Sequence, residues 1–381
     1  MRLPWLGNSR KASRQSSSND IYHTEITADV PVPERGESVR FFSRKVVRPG
    51  KLRRFTNRDP RESLLSCFYL GVAAMLPVSW WSSICGWVSR LRRKRHFRKE
   101  FARYDVAVKA VLGDAVDTKS MFEAQLAAVH RRRLTLAAHL VAGWRWSPAI
   151  RLEGLEALQQ ALRNGRGAIV WCDQFTAQTI MGKRALHEAG VDAHQVSARY
   201  HGFSPSMFGL RVINPPLVRL ENRFLKSRIV FERTDAYQVT TRIQKVLKAN
   251  GVVLMTNTVY AGSAFTEAAM GERGWTHLAS APANFAARAG AGLFHMATIE
   301  TAPFREYRAI VKELSATPEA PASSAKDMTG KTLVVQAGFV LSKRDRMLET
   351  LKLCPEQMMA WSSAVRLTEQ PAEAAIGNDE A

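Results

Sequence analysis

The sequence predicts an α/β fold, a mainly parallel or mixed central sheet flanked by helices, with an N-terminal membrane-associated helix ahead of it. Three observations predict this. From Gly167 onward, short apolar runs alternate with amphipathic ones, the pattern of βα repeats that build a parallel sheet. Residues 63–89, "SLLSCFYLGVAAMLPVSWWSSICGWVS", carry no charge and exceed the roughly 20 residues that a membrane-crossing helix needs. The basic run "RLRRKRHFRK", residues 90–99, follows at once. That order fits the positive-inside rule and places the rest of the chain in the cytoplasm.

With 381 residues the chain can form one large domain or two small ones plus tails, and a hydrophobic content of 46% supports a real core. Lys and Arg number 55 against 34 Asp and Glu, a formal net charge of +21. Such a field favours anionic partners, whether nucleic acid, anionic lipid or an acidic carrier protein. No nucleic-acid-binding motif is present and the charge-free segment points to membrane, so no nucleic-acid partner is expected. The four cysteines (Cys67, Cys85, Cys172, Cys354) have no metal-ligand spacing and form no disulfide framework. There is no Walker-type loop, and neither metal nor cofactor is expected.

Residues 1–60 are polar and rich in Ser and Arg, which predicts a disordered basic extension. It is not a signal peptide, because no apolar stretch follows the basic start. Residues 61–99 hold the apolar anchor segment and the basic run. Pro77, the serines and Trp80, Trp81 and Trp87 leave three forms open for the anchor: a spanning helix, a kinked or interfacial hairpin, or a buried helix. In the first two, the basic run would hold the domain against anionic headgroups. The α/β domain is assigned to residues 100–314, opening with helix over 100–146 that carries a second basic cluster, "HRRR", at 130–133.

Next, "LEGLEALQQALRNGRG" predicts an amphipathic helix closed by Gly165 or Gly167, followed by a strand at "AIVWC". Strands are then expected at "VDAHQVSARY", "SRIVFE", "VVLMTN" and "GLFHMATIE", and at the sheet edge in "FREYRAIVKEL". Helices are expected at "QTIMGKRALHEAG", "AYQVTTRIQKVLKANG" and "LASAPANFAARAGA". A Pro/Ala/Ser linker or loop covers 315–328, a helical segment 329–366, and an acidic tail 367–381.

The order of these parts resembles the bacterial lipid A late acyltransferases, the lauroyl/myristoyl transferase branch of the lysophospholipid acyltransferase superfamily. The resemblance covers residues 64–361. It rests on the apolar segment with "LP" and its basic helix, on "LEGLEALQQALRNGRGAIV", on "SARY", on "NGVVLMTN", and most specifically on the closing "LETLKLCPEQMMAW". It implies a lysophospholipid acyltransferase-like fold on the cytoplasmic face of a bacterial inner membrane. It also implies transfer of a fatty acyl chain from an acyl-carrier protein or acyl-CoA to a hydroxyl of an anionic membrane lipid or lipid A precursor. A basic face suits these anionic partners.

The family's chemistry rests on His-x4-Asp/Glu just after the first core strand, with the His as general base and the carboxylate orienting it. In "GAIVWCDQFTAQTIMG" the His seat is Gln174 and the carboxylate seat is Thr179. An amide does not titrate near neutral pH and a hydroxyl cannot stabilise an imidazolium, so the standard dyad is replaced. Loss of general-base catalysis costs about 10²–10⁴ in rate. The expectation is therefore either an acyltransferase with an altered site or a catalytically inactive relative that binds lipid or acyl-carrier protein.

Candidate substitutes are Asp173, His201 and His277. Asp173 reads either as a helix N-cap or as the carboxylate orienting a His from elsewhere. His201 falls beyond the second strand, and His277 ahead of a helix near the expected cleft; each can equally be an ordinary loop histidine. Arg199, Arg223 and Arg273 match cationic family positions and are expected to bind substrate anions, or else to be surface charge. Asn257 replaces a family Asp after "VVLMT" and is likewise expected to bind substrate. Two literal His-x4-acid strings, His187 to Asp192 and His295 to Glu300, read as decoys. The first crosses Gly190, a helix stop, and the second sends its side chains to opposite faces of a strand. Cys172, in an apolar strand, reads as a buried thiol rather than a nucleophile.

Overall fold

The computed structural model describes residues 22–30, 39–49, 52–199, 201–231, 236–257, 264–316, 328–359, 361 and 365–367. The chain starts with an antiparallel pair, β1 (Tyr22–Val30) and β2 (Val39–Pro49). Both lie in the stretch whose composition predicts disorder, and they correct that expectation over their own spans. The physical reason is remote. β2 pairs with residues 264–268, a partner that local composition does not register. The linker over 317–327 and the tail beyond 367 lie outside the described residues.

Two helices follow, α1 (Arg58–Met75) and α2 (Val78–Leu112). Pro77 separates them by driving Leu76 into extended backbone (ψ 146°). The charge-free segment is thus divided between two helices, and no described helix is long and apolar enough to cross a membrane. The continuous helix expected over 100–146 is corrected at 113–117. Gly113 (φ 89°) stops α2, and the Asp117 side chain accepts from the Ser120 N–H at 3.1 Å to cap α3 (Thr118–Val141).

The α/β part comprises β3 (Ala149–Glu153), α4 (Leu155–Arg163), β4 (Ala168–Cys172), α5 (Lys183–Glu188), β5 (Ala193–Ala198), α6 (Pro215–Asn222), β6 (Ser227–Phe231), α7 (Ala236–Lys248) and β7 (Val252–Thr256). Then come β8 (Ala264–Met270), β9 (Gly274–Ala279), α8 (Ala281–Ala289), β10 (Gly292–Ala302), β11 (Glu306–Glu313), α9 (Met328–Leu353) and β12 (Val365–Leu367). A π-turn at Gln178–Gly182 leads into α5 and another at Gly209–Ile213 into α6.

The larger sheet has the order β3-β11-β10-β4-β7-β5-β6. Strands β10, β4, β7, β5 and β6 are parallel; β11 runs antiparallel to β10, and β3 parallel to β11. This is the mostly parallel, helix-flanked sheet that the alternation predicts. β11 is not the edge strand, however: the short "AIRLE" of β3 lies outside it. A second, antiparallel sheet, β1-β2-β8-β9-β12, was not legible, because β8 and β9 read as loop before a helix.

Strand β4 is buried along its whole length, as a run without polar alternation requires. Ile169 and Trp171 pack with Ile243 and Leu247 of α7, Ala283 of α8 and Val340 of α9. Val170 and Cys172 pack on the opposite face with Leu158 of α4 and Leu186 of α5. Each large side chain buried this way contributes about 1.5–3 kcal/mol. From β4 the chain moves across the sheet to β5, and from β7 it later crosses the other way to β10. The crevice beyond the carboxyl ends of β4 and β7 is therefore a topological switch point, where open α/β sheets bind ligands.

Candidate functional site at the carboxyl end of the sheet

The turn after β4 is held by a strap from the "CPEQMM" segment. The Thr176 N–H donates to the Gln357 carbonyl (2.9 Å), and the Met359 N–H donates to the Gln174 carbonyl (2.8 Å). Phe175 bridges to Met358, and Gln125 of α3 donates from Nε2 to the Met358 carbonyl at 2.7 Å. The Gln357 side chain pairs with Glu300 at both backbone groups, accepting from its N–H (2.7 Å) and donating to its carbonyl (2.8 Å). The motif turn and the closing segment, far apart in the chain, thus meet.

Asp173 is not a helix N-cap; the π-turn after it starts five residues later, behind Ala177. Its carboxylate enters a fully buried cluster with Lys343 of α9 and His295 of β10. The Lys343 ammonium donates to Asp173 Oδ1 (2.6 Å), the Trp171 carbonyl (2.7 Å) and His295 Nδ1 (2.9 Å). Three donors meet three acceptors, which holds the lysine as an ammonium inside the protein. Because His295 Nδ1 accepts, its ring proton is on Nε2. Burial, and then the neighbouring Lys343 charge, push His295 well below its ordinary range, so the imidazole is neutral. Burial raises the Asp173 carboxyl and lowers Lys343, while their mutual attraction opposes both shifts. Asn257 completes the cluster, donating from Nδ2 to Asp173 Oδ1 at 2.9 Å. Asp173 does meet a histidine from elsewhere (3.6 Å from Oδ2 to Nδ1), but one sealed from solvent. This cluster anchors the turn; it offers no exposed base.

In front of the turn lies a narrow cleft between α3 and residues 176–180, with room for about one water-sized group. Thr176, Thr179, Arg132, Thr135, Glu300 and Tyr307 contribute its polar wall, and no histidine lines it. Thr179, at the carboxylate seat, accepts from Arg132 Nε at 3.3 Å. Gln174, at the base seat, is half-buried under the strap and does not line this cleft. Leu136 is also a wall of a larger cavity of about 230 Å³. That cavity lies between α1, α3 and the α6 region, and its walls are chiefly apolar: Tyr69, Leu140, Phe203, Ile213, Leu217 and Leu220.

The other expected site residues scatter. His201 donates from Nε2 to Glu221 Oε1 at 2.8 Å, and its side chain stays partly exposed. Glu221, fully buried, also holds Lys183 (3.1 Å) and Arg228 (2.5 Å). His277 is not a loop residue: it lies in β9 of the second sheet, buried and paired with Glu267 of β8 at 2.7 Å. Arg273, on the β8–β9 turn, pairs with Asp114 at 2.7 Å. Arg199 and Arg223 are exposed after β5 and α6. Of the four positions expected to bind substrate, only Asn257 reaches the turn. Burial pushes the Cys172 thiol up to about 12, consistent with an inert core group. Glu300 pairs with Arg131 (2.5 Å) and not with His295, and Asp192 pairs with Lys226 (3.4 Å), so neither His-x4-acid string is a dyad.

Lys343, Arg132 and Glu221 were missed in the sequence. Lys343 had a signal: Val340, Lys343, Met347 and Leu351 share one helical stripe, three of them apolar and buried. A lysine inside such a stripe is a buried cation in need of a carboxylate. A scan against models of protein families and a search of curated proteins each found no match to this chain.

Proposed function

We propose that the chain is a membrane-surface protein of envelope-lipid metabolism, built on the plan of the lipid A late acyltransferases, which binds an acyl chain beside a turn whose standard dyad is replaced. The observation that carries this reading is the apolar cavity of about 230 Å³ sharing Leu136 with the cleft at the motif turn. The acyl chain would arrive on an acyl-carrier protein or coenzyme A, and the lipid partner would be an anionic lipid A-type precursor at the cytoplasmic face of a bacterial inner membrane. The excess of basic residues suits each of these anions.

The outer face of the first two helices supports the membrane partner. Trp80, Trp87 and Leu91 follow one stripe of α2, and Leu64, Phe68 and Met75 one stripe of α1, all exposed. The basic run continues α2 beyond this stripe, as in helices that lie in an anionic interface. Replacing Trp80 and Trp87 with alanine removes two rings, each worth about 1.5–3 kcal/mol on burial. The expected result is at least tenfold weaker sedimentation with vesicles containing phosphatidylglycerol, with an unchanged thermal midpoint. Unchanged sedimentation would exclude this face as the contact.

A second reading is favoured by the His201–Glu221 pair. A buried carboxylate holding Nε2–H leaves Nδ1 as the acceptor, the arrangement that a general base needs. The deciding assay follows a radiolabelled acyl chain from acyl-carrier protein to a total membrane lipid extract. Absence of transfer together with retained acyl-chain binding is the outcome of the binding reading. Transfer that survives Gln174→Ala and disappears in His201→Ala would establish the second reading instead.

A further inference from the structure

The basic cluster on α3 is not a uniform solvated face. Successive helix residues point about 100° apart, and the three arginines meet different surroundings. Arg131 pairs with Glu300 at 2.5 Å, and Arg133 pairs with Glu62 at 2.6 Å. Arg132, between them, has no ion pair among the described residues. Its contacts are the hydrogen bond from Nε to Thr179 Oγ1 and the Phe203 ring, 5.8 Å from its guanidinium carbon. Burial, and then the neighbouring Arg133, lower it to about 10. Glu221 and Glu62 offset part of the cost of burying this guanidinium through their charge, without an ion pair to it, and an anion in the cleft would meet it directly.

The space before Arg132 is the cleft at the carboxylate seat, Thr179. Thr135, Thr176, Thr179 and Tyr307 give it hydroxyls, the Glu300 carboxylate in its wall is held by Arg131, and Leu136 lines both it and the apolar cavity. A cation at one end and an apolar chamber at the other define an amphiphile with one chain. We propose that Arg132 binds the anionic head oxygen of a single-chain amphiphile, a carboxylate or a phosphate monoester, whose chain occupies the cavity lined by Leu136, Leu140, Phe203, Leu217 and Leu220. The proposal rests on the acyl-chain reading above and adds the charge of the head. The carboxylate seat of the dyad, Thr179, has become part of an anion seat, suited to holding a free acid or alkyl phosphate rather than to attacking a thioester.

The test uses the full chain and calorimetric titration with hexadecanoate, hexadecyl phosphate and hexadecan-1-ol below their aggregation concentrations. The wild type is expected to bind at least one of the two anions about tenfold or more tighter than the alcohol, the size of a charge-assisted bond. Whichever anion is preferred identifies the head. In Arg132→Gln that preference falls to within about twofold while alcohol binding is unchanged, and Arg132→Lys restores part of it. Equal affinity of the wild type for the alcohol and both anions, or a preference that survives Arg132→Gln, overturns the anion seat. The wild-type comparison stands even if Arg132→Gln does not fold. Leu217→Trp separates the two claims. If it leaves all three affinities intact while Arg132→Gln removes the preference, the cavity is not the chain site but the anion seat holds. If no amphiphile binds the wild type, both fail.

Discussion

Replacing Lys343 with methionine is expected to destabilise the fold by about 3–5 kcal/mol, the cost of breaking a buried ion pair from one side. The lost side chain supplies all three donors at the back of the motif turn. Without it the Asp173 carboxylate is left fully buried with the Asn257 amide as its donor among the described residues, and the Trp171 carbonyl and His295 Nδ1 lose the same partner. Urea unfolding followed by circular dichroism measures the loss. A second variant separates charge from packing. Combining Lys343→Met with Asp173→Asn removes both charges and is expected to recover more than half of the difference, because neutral groups cost far less to bury than an orphaned carboxylate. A loss below about 1 kcal/mol for the single variant, the range of an exposed pair, would show that Asp173 is not held as a carboxylate by this lysine.

The second large effect is at Glu221. Glu221→Gln keeps the shape but removes the carboxylate shared by Lys183, Arg228 and His201, and is expected to cost about 3 kcal/mol or more at neutral pH. Burial alone would raise this carboxyl; Lys183, then His201 and Arg228, outweigh it and hold it far below its ordinary value of 4.5. A depressed folded-state pKa gives stability that is fully present above the unfolded value and lost as pH falls toward the folded one. The gap between wild type and Glu221→Gln should therefore be full at neutral pH and narrow below about pH 4.5. Denaturant midpoints measured across that range check it. A gap that stays constant into acid would mean that Glu221 is already protonated in the native protein.

The two cases mark the boundary of what was legible in the chain. The parallel strands were readable because a buried central strand is a bare apolar run, as in "AIVWC" and "VVLMT". The second sheet was not, because β8 and β9 carry Thr, Glu and His among their apolar residues and gain their stability by pairing with each other and with β2. In the candidate site, the position of Gln174 and Thr179 followed from the strand before them. Asp173 was left open between a cap and the carboxylate of a distant histidine, because its partners are on β10 and α9 and nothing near it in sequence announces a lysine. His277 illustrates the opposite error. A polar residue placed by its neighbour helix was in fact a strand residue satisfied by a cross-strand glutamate.

The strap over the motif turn also bears on the order of events during synthesis. Its hydrogen bond to Gln125 spans 233 residues of chain. The strands of the larger sheet, from β3 to β11, emerge from the ribosome before the residues that close the turn, and contacts so distant form late. A nascent chain can therefore assemble its sheet before the motif turn is pinned by the strap.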